Sequence, residues 1–328
     1  MILCFDGGGS KCRMILADDD FNLIGEGRGL GVNVNHTPLA EAVANMRDCL
    51  DQTLRGVANL TIDSIYITIV GPVEELIKLL APYRTDAAQN TFMLGEPQAA
   101  LWAGALKPGG FVALSGTGSD VFYVSSDEKR GESLGGWGLL LGDEGSGAWI
   151  GQQALRTAVR SLADVGPKTI LADVIRETLN ASDIWELVRL MYAAPSYVRF
   201  FGSLVPITAD AARRGDGIAR QLFRDAGIHM SEYFLQLYAR VCRRVELPED
   251  ERFCVLSGGA WKAFSAMFDT FRQRLGDSAP VLDVRWPYFE PVMAGISREL
   301  AVRHPDWDTK QRLDFLTERF PSYRINPV

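Results

Sequence analysis

The sequence predicts an α/β protein of two domains, and three observations carry that reading. The opening hundred residues alternate short apolar runs with amphipathic stretches, in the order strand, strand, strand, helix, strand, helix, strand, helix. That is the pattern of a mixed sheet with helices packed on it. The first strand breaks into Asp6-Gly7-Gly8-Gly9-Ser10-Lys11. The same design returns at Ser115-Gly116-Thr117-Gly118-Ser119-Asp120, just after Lys107-Pro108-Gly109-Gly110. An internal echo of this kind marks two units built alike. Finally, 328 residues, 47% hydrophobic and 23% charged, suffice for two cores. The domains read as 1–107 and 108–305, with a tail over 306–328 that carries no visible chemistry.

Ile2 to Phe5 is a buried strand and Arg13 to Ala17 its return, which makes residues 6–11 the tip of a β-hairpin. Phe21 to Gly31 is a third strand, interrupted by glycines. Thr37-Pro38 predicts a helix start, Thr37 as N-cap and Pro38 in the first turn. Leu39, Val43, Met46 and Leu50 then share one face. His36 has no His or Cys at metal spacing and reads as a surface residue. Ser64 to Val70 is the clearest strand, stopped by Gly71-Pro72. Val73 to Tyr83 is helical, Thr91 to Leu94 a strand, Gln98 to Leu106 a helix. Glu96 falls just past a strand end, where ligands gather in such sheets.

The second half repeats the opening. Phe111 to Leu114 and Val121 to Val124 make another hairpin. Helices are expected over Ala148–Leu162, Thr169–Leu179, Ile184–Tyr192 and Ile218–Arg244, with charged outer faces that read as solvated surface. Phe253 to Leu256 is a strand ending in Ser257-Gly258-Gly259-Ala260-Trp261, with a helix expected directly after the glycines. Val281 to Val284 is a strand. Val292 to Val302 is a helix whose Met293, Ala294 and Gly295 allow close packing, and Gln311 to Phe320 is another.

The chemistry sits in the glycine turns. Successive backbone N–H groups at a hairpin tip make a nest for an anion, to which Lys11 adds charge. The spacing is not that of a Walker A loop, and no G-x-G-x-x-G occurs. From Gly135 to Gly151 the chain reads G-G-W-G-L-L-L-G-D-E-G-S-G-A-W-I-G. This glycine-rich loop with an aromatic (Trp137) and two acids (Asp143, Glu144) runs into a helix and suits a polar ligand. By position alone Asn33 and Asn35 read as loop asparagines that hold local turns.

The net charge of −7, without a Lys/Arg cluster, argues against a nucleic-acid surface. No apolar run approaches the roughly 20 residues of a membrane span, and the N-terminus enters a strand at once rather than a signal peptide. Five scattered cysteines without C-x-x-C fit a reducing compartment. A cytoplasmic protein is therefore expected.

Together the motifs resemble the sugar kinase/actin/Hsp70 superfamily, in its N-acetylglucosamine kinase-like, BadF/BadG/BcrA/BcrD ATPase branch. Asp6 to Lys11 resembles the first phosphate motif, Leu114 to Ser119 the second, and Leu256 to Trp261 the adenosine motif. Gly136-Trp137-Gly138 with Leu141 to Gly147 resembles the segment of its amino-sugar kinases. The resemblance implies two RNase H-like (actin-like ATPase) domains with ATP and an amino sugar in a central cleft. It implies that Asp6 holds Mg²⁺ and that Gly8, Gly9, Ser10, Lys11, Gly116 and Thr117 surround the phosphates. Gly258 and Gly259 would approach the adenosine. Asn33, Ser119, Asp120, Gly136, Trp137 and Asp143 would contact the sugar. A homodimer is implied as well.

One position departs. These kinases place an Asp as general base where this chain has Glu96. The extra methylene moves the carboxylate by about one C–C bond, and a displacement of about 1 Å can cost on the order of a hundredfold in rate. The expected function is ATP-dependent phosphorylation of N-acetylglucosamine to its 6-phosphate. The alternatives are a glucosamine or N-acetylmuramic acid kinase, an activator-type ATPase without a sugar substrate, or a nucleotide-binding regulator without catalysis.

Overall fold

Strand β1 (Ile2–Gly7) is the centre of the first sheet, and its buried apolar run explains why. The computed structural model describes residues 1–35, 37–57, 60–83 and 90–326, so His36 lies outside the described residues. By contact the chain divides into two compact units. The first holds Met1–Gly110, Val124–Arg130 and the chain from Arg285 to the last described residues; the second holds Phe111–Tyr123 and Gly131–Val284.

In the first unit β1, β2 (Lys11–Ala17), β3 (Leu23–Leu30), β4 (Ser64–Ile69) and β5 (Thr91–Met93) lie in the order β3-β2-β1-β4-β5. The first three strands are antiparallel neighbours joined by short turns. β4 runs parallel to β1, and β5 to β4. Parallel neighbours need crossovers, supplied by α1 (Leu39–Thr53) and α2 (Val73–Leu80). α3 (Glu96–Ala105) follows β5.

The glycines of β3 have a packing role. A Cβ at Gly25 would lie 2.0 Å from the Thr53 carbonyl oxygen, at Gly27 1.9 Å from that of Cys49, and at Gly29 2.9 Å from that of Asn45. α1 therefore lies with its backbone against the strand. Its buried side chains are Ala42, Met46, Cys49, Leu50 and Thr53, and the expected Leu39 is exposed. The helix also starts later than expected. Pro38 keeps an extended ψ of 141° and is itself the cap, without a side-chain cap bond, while Thr37 is buried.

The second unit repeats the sheet. β6 (Gly110–Ser115), β7 (Ser119–Val124), β8 (Gly131–Gly135), β9 (Phe253–Ser257) and β10 (Asp283–Arg285) lie in the order β10-β9-β6-β7-β8, with β9 parallel to β6. Counted by occurrence along the chain, each sheet runs third, second, first, fourth, fifth. That shared order, with glycine turns after each first strand, is the duplicated RNase H-like design. The helices are α4 (Gly147–Leu162), α5 (Ile170–Thr178), α6 (Ile184–Ala193), α7 (Tyr197–Ser203), α8 (Val205–Arg213), α9 (Gly217–Cys242) and α10 (Ser265–Ser278). Three of these twelve strands and helices of the second half, β8, α7 and α8, have no counterpart in the sequence reading. β8 has one large apolar residue in Gly-Glu-Ser-Leu-Gly, and α7 and α8 are too short to establish a period.

Asp216 ties two of these helices together. Its Oδ1 accepts from the Ile218 and Ala219 amides at the start of α9, at 3.0 and 2.8 Å. Its Oδ2 accepts from the Thr169 hydroxyl and the Ile170 amide at the start of α5, at 2.6 and 2.9 Å. Partial burial pushes the carboxyl's pKa up, but these hydrogen bonds outweigh it and hold the pKa below its usual value. Asp216→Ala is expected to destabilise by about 1–2 kcal/mol. A depressed folded-state pKa means stabilisation that is present above the unfolded value of about 3.9 and lost as pH falls through the folded one. Urea titrations at neutral and acid pH check this: the penalty should shrink on the acid side.

The chain then returns to the first unit. α11 (Ala294–Arg303) packs closely, as expected from Gly295: a Cβ there would meet Tyr66 Cβ at 2.3 Å and Cys4 Sγ at 2.5 Å. α12 (Thr309–Arg319) opens with an Asp308/Gln311 capping box. Leu316, Phe320 and Tyr323 are buried in one core with Ile2, Phe21, Trp102 and Leu300. The residues read as the end of a second domain and a separate tail thus pack in the first unit. Among the described residues no helix is long and apolar enough to cross a membrane.

Candidate active site

The first glycine turn is closed by Gly8, whose N–H donates to the Lys11 carbonyl at 3.0 Å. The Gly8 carbonyl in turn accepts from Val32 and Asn33 amides, at 3.0 and 3.3 Å. A Cβ at Gly7 would lie 2.6 Å from Val32. The loop carrying Asn33 is thereby held on the turn. The Asn33 side-chain oxygen accepts from the Asn35 amide at 2.9 Å, the local turn that its position suggested. Ser10 and Lys11 are exposed at the tip.

Asp6 is half-buried at the end of β1. Burial pushes its pKa up to about 7; Lys11 and Arg13 counter that, while Glu96 and Glu290 add to it. The negative charges of Glu96 and Glu290 thus reach Asp6. Arg13 forms an ion pair with Glu290, two residues that the sequence reading did not single out. Their side chains come from distant parts of the chain, and no local pattern links them.

Glu96 is the first residue of α3, two positions earlier than the expected helix start, with Gly95 as N-cap. Pro97 follows in the first turn, where its missing N–H costs nothing. The residue as a whole is exposed, yet protein around its carboxyl desolvates it and raises its pKa. A raised carboxylate at a strand end suits a general base.

In the second unit the loop from Gly135 to Gly147 wraps the second glycine turn. Gly116 N–H donates to the Gly118 carbonyl, and the Gly116 carbonyl accepts from the Gly147 amide, both at 2.9 Å. The Thr117 carbonyl accepts from Ala148 at 3.3 Å. Ser115 Oγ donates to the Gly145 carbonyl at 2.7 Å and Ser119 Oγ to the Glu144 carbonyl at 3.1 Å. Asp143 takes a left-handed φ of 59°, which Asp tolerates better than most residues. Its carboxylate lies where a side chain at Gly118 would be: a Cβ there would meet Asp143 Oδ2 at 2.9 Å. Gly136, with φ 68°, lies against Asp120, whose Oδ2 would be 2.6 Å from an added Cβ.

Ser119, Asp120, Gly135, Asp143, Met230 and Tyr233, among others, close around one tight cleft that leaves no room for a water molecule. The last two come from α9 and were not read from the sequence. Trp137 stands beside them, its ring 5.8 Å from that of Tyr233. Ser146 Oγ accepts from the Trp149 amide and caps α4.

Gly258 joins this group. With φ 101°, it brings its backbone onto the end of β6, where an added Cβ would lie 2.2 Å from the Ser115 carbonyl oxygen. Nothing lies within 4 Å of a Cβ on Gly259. The expected helix does not begin there. A short 3₁₀ turn, Ala260–Lys262, intervenes, and α10 starts at Ser265. Trp261 accounts for the difference: it is buried and donates its Nε1–H to the Ala113 carbonyl at 3.0 Å, which pulls the chain into the core.

Two groups result. Asp6, Gly8, Gly9, Ser10, Lys11, Asn33 and Glu96 belong to the first unit. Gly116, Thr117, Ser119, Asp120, Gly136, Trp137, Asp143, Gly258 and Gly259 belong to the second. In the first, backbone bonds tie the glycine turn to the Asn33 loop; in the second, they tie the turn to Gly147 and Ala148.

The chain is similar to the N-acetylmuramic acid/N-acetylglucosamine kinase of Clostridium acetobutylicum, 25% identical over 86% of this chain and 92% of that protein. It is similar to the N-acetyl-D-glucosamine kinase of Dictyostelium discoideum, 26% identical over 88% and 94%. Its fold matches a solved protein of Chromobacterium violaceum described as a candidate N-acetylglucosamine kinase, with a TM-score of 0.66, 20% identity and coverage of 90% and 97%. The BadF/BadG/BcrA/BcrD ATPase family profile matches residues 4–292. With that match across most of its length, and with both glycine turns built as described, this chain belongs to the BadF/BadG/BcrA/BcrD ATPase family.

Proposed function

We propose that this protein is an ATP-dependent amino-sugar kinase, and that its substrate is N-acetylglucosamine, phosphorylated at the 6-hydroxyl. The observation that carries the reading is the gathering of Ser119, Asp120 and Asp143 around one cleft, with Trp137 against the Tyr233 that lines it. Carboxylates and a hydroxyl hydrogen-bond sugar hydroxyls, and an indole packs on the apolar face of a sugar ring. The names of the Clostridium and Dictyostelium relatives support the same substrate class.

The residues take the following roles. Gly9, Ser10, Lys11 and Thr117 hold phosphate oxygens through backbone amides, hydroxyls and the Lys11 ammonium, while Gly8 and Gly116, whose own amides close the turns, let the phosphates approach bare backbone. Gly258 and Gly259 present bare backbone to the adenosine. Asn33, Ser119, Asp120, Gly136, Trp137 and Asp143 orient the sugar. Glu96 accepts the proton of the attacking hydroxyl. ATP supplies the phosphoryl group, and Mg²⁺ neutralises charge on its phosphates. Burial, with Glu96 and Glu290 adding to it, pushes the Asp6 pKa up to about 7, and a divalent cation held by Asp6 would relieve that cost of ionising it. Among the described residues no cluster of three or more metal-ligating side chains occurs. That fits magnesium, which keeps waters and phosphate oxygens and takes only one or two carboxylates.

ADP release with ATP, Mg²⁺ and a panel of N-acetylglucosamine, glucosamine and N-acetylmuramic acid tests the reading. N-acetylglucosamine should stimulate turnover most. A stronger response to glucosamine or N-acetylmuramic acid would move the substrate within the class. ATP hydrolysis that no amino sugar stimulates would instead indicate an activator-type ATPase. A cytoplasmic homodimer goes with the kinase reading, and sedimentation of the purified chain checks its oligomeric part.

A further inference from the structure

Glu144 was left without a role by the sequence, and Tyr233 lies far from every motif, in the middle of α9. The structure joins them. The Tyr233 hydroxyl donates to Glu144 Oε2 at 2.8 Å. The Tyr233 ring meets the Trp137 ring edge-on, at 5.8 Å and 69°. The Glu144 carbonyl accepts from Ser119 Oγ at 3.1 Å. One tyrosine thus touches both ends of the Trp137–Glu144 segment. Glu144 is followed by Gly145, where a Cβ would lie 2.6 Å from Met230 Cγ and 2.8 Å from the Ala226 carbonyl oxygen. Ala226, Met230 and Tyr233 are spaced four and three residues apart, so they form one stripe of α9 behind the loop. Burial, and then the Glu144 carboxylate, push the Tyr233 pKa up to about 12, so the hydroxyl keeps its proton and remains the donor.

The loop needs such a support. Trp137 is 54% exposed, and Leu140 and Leu141 are more exposed still. Gly138 and Gly142 flank the leucines, and the Leu141 and Gly142 amides both donate to the Gly138 carbonyl. A turn this rich in glycine has many accessible conformations, and little of its own apolar surface is buried to select one. Tyr233 is a half-buried side chain on a 26-residue helix, a rigid base from which to select one.

We propose that Tyr233 and Glu144 are positioning residues for the sugar, the hydroxyl–carboxylate bond and the ring contact together holding Trp137 and Asp143 in the arrangement that receives it. This rests on the amino-sugar kinase reading. It predicts a change in sugar recognition that leaves ATP recognition intact.

Three variants test it, each assayed for kcat, for KM of N-acetylglucosamine and of ATP, and for thermal stability. Tyr233→Phe keeps the ring and removes the bond, and Glu144→Gln weakens the same bond. Each is expected to raise the sugar KM about tenfold, the scale of a lost hydrogen bond to a charged group. Tyr233→Leu removes bond and ring contact and is expected to raise it further, to roughly fiftyfold. In all three the ATP KM should stay within about twofold and Tm within about 3 °C. An unchanged sugar KM in Tyr233→Leu overturns the proposal. A parallel loss of stability, kcat and both KM values in Tyr233→Phe overturns it too, because that is the signature of a general structural prop. Hydrogen exchange of the sugar-free chain separates this from failure of the kinase reading. If no amino sugar stimulates the wild type, the reading falls; faster exchange across residues 135–147 in Tyr233→Leu then still supports the positioning contact, and unchanged exchange overturns it.

Discussion

Glu96→Gln is expected to lower turnover by about two to four orders of magnitude, the usual contribution of a positioned general base. Sugar affinity should change little, because the amide has nearly the same shape and still accepts a hydrogen bond. ADP release measures the first quantity and calorimetric titration with N-acetylglucosamine the second. A rate near that of the wild type would remove Glu96 from the role of base. The pH profile gives an independent check. Desolvation raises the Glu96 pKa, so the carboxylate takes up its proton at a pH above the ordinary glutamate value of about 4.3. The base form exists above the raised pKa and is lost as pH falls through it. The kcat/KM of the wild type should therefore fall on the acid side with an inflection above that ordinary value, and that limb should be missing from the residual activity of Glu96→Gln.

Gly27→Val is expected to have the largest effect on stability. A Cβ at this position would lie 1.9 Å from the Cys49 carbonyl oxygen and 2.5 Å from Thr53 Oγ1. The carbonyl belongs to the backbone of α1, so relief requires the whole helix to move off the sheet. Overpacking usually costs about 1–3 kcal/mol, and more where backbone must shift. A loss of about 3 kcal/mol or more is expected, with Tm falling by roughly 6–12 °C. Gly276→Ala is the control. It sits in α10 with nothing within 4 Å of an added Cβ, and should raise stability by up to about 1 kcal/mol through helix propensity. Denaturant titrations of both variants check the pair. Equal effects would show that β3 and α1 do not pack as described.

Some of the site was legible because its chemistry is local. A glycine turn is recognised from consecutive residues, and the two turns carry their own closing bonds, Gly8 to Lys11 and Gly116 to Gly118. The loop from Gly135 to Gly151 was legible for the same reason, since the N-cap of α4 and the acid pair are written in one stretch. Gly118 could have been read as a packing position only with Asp143 placed over it. Glu290, Arg13 and Tyr233 had no local signal: each matters through a partner far along the chain. Trp261 was misleading, because a strand and two glycines promised a helix start, while one buried indole decided otherwise.

By itself the sequence determined the strand and helix alternation, the repeated opening of the two halves, and the residue types of the turns. These depend on period and on neighbours a few positions apart. Tertiary structure alone decided which core the C-terminal helices join, which face of α1 is buried, and how the site residues are braced. Leu316 and Phe320 can fill any apolar space of the right size. They are in the first unit because Phe21 and Trp102 leave that space there. The face of α1 follows from three glycines on a strand, and the bracing of Trp137 from one tyrosine on α9. In each case the deciding contact joins residues that are remote in sequence, where periodicity carries no information.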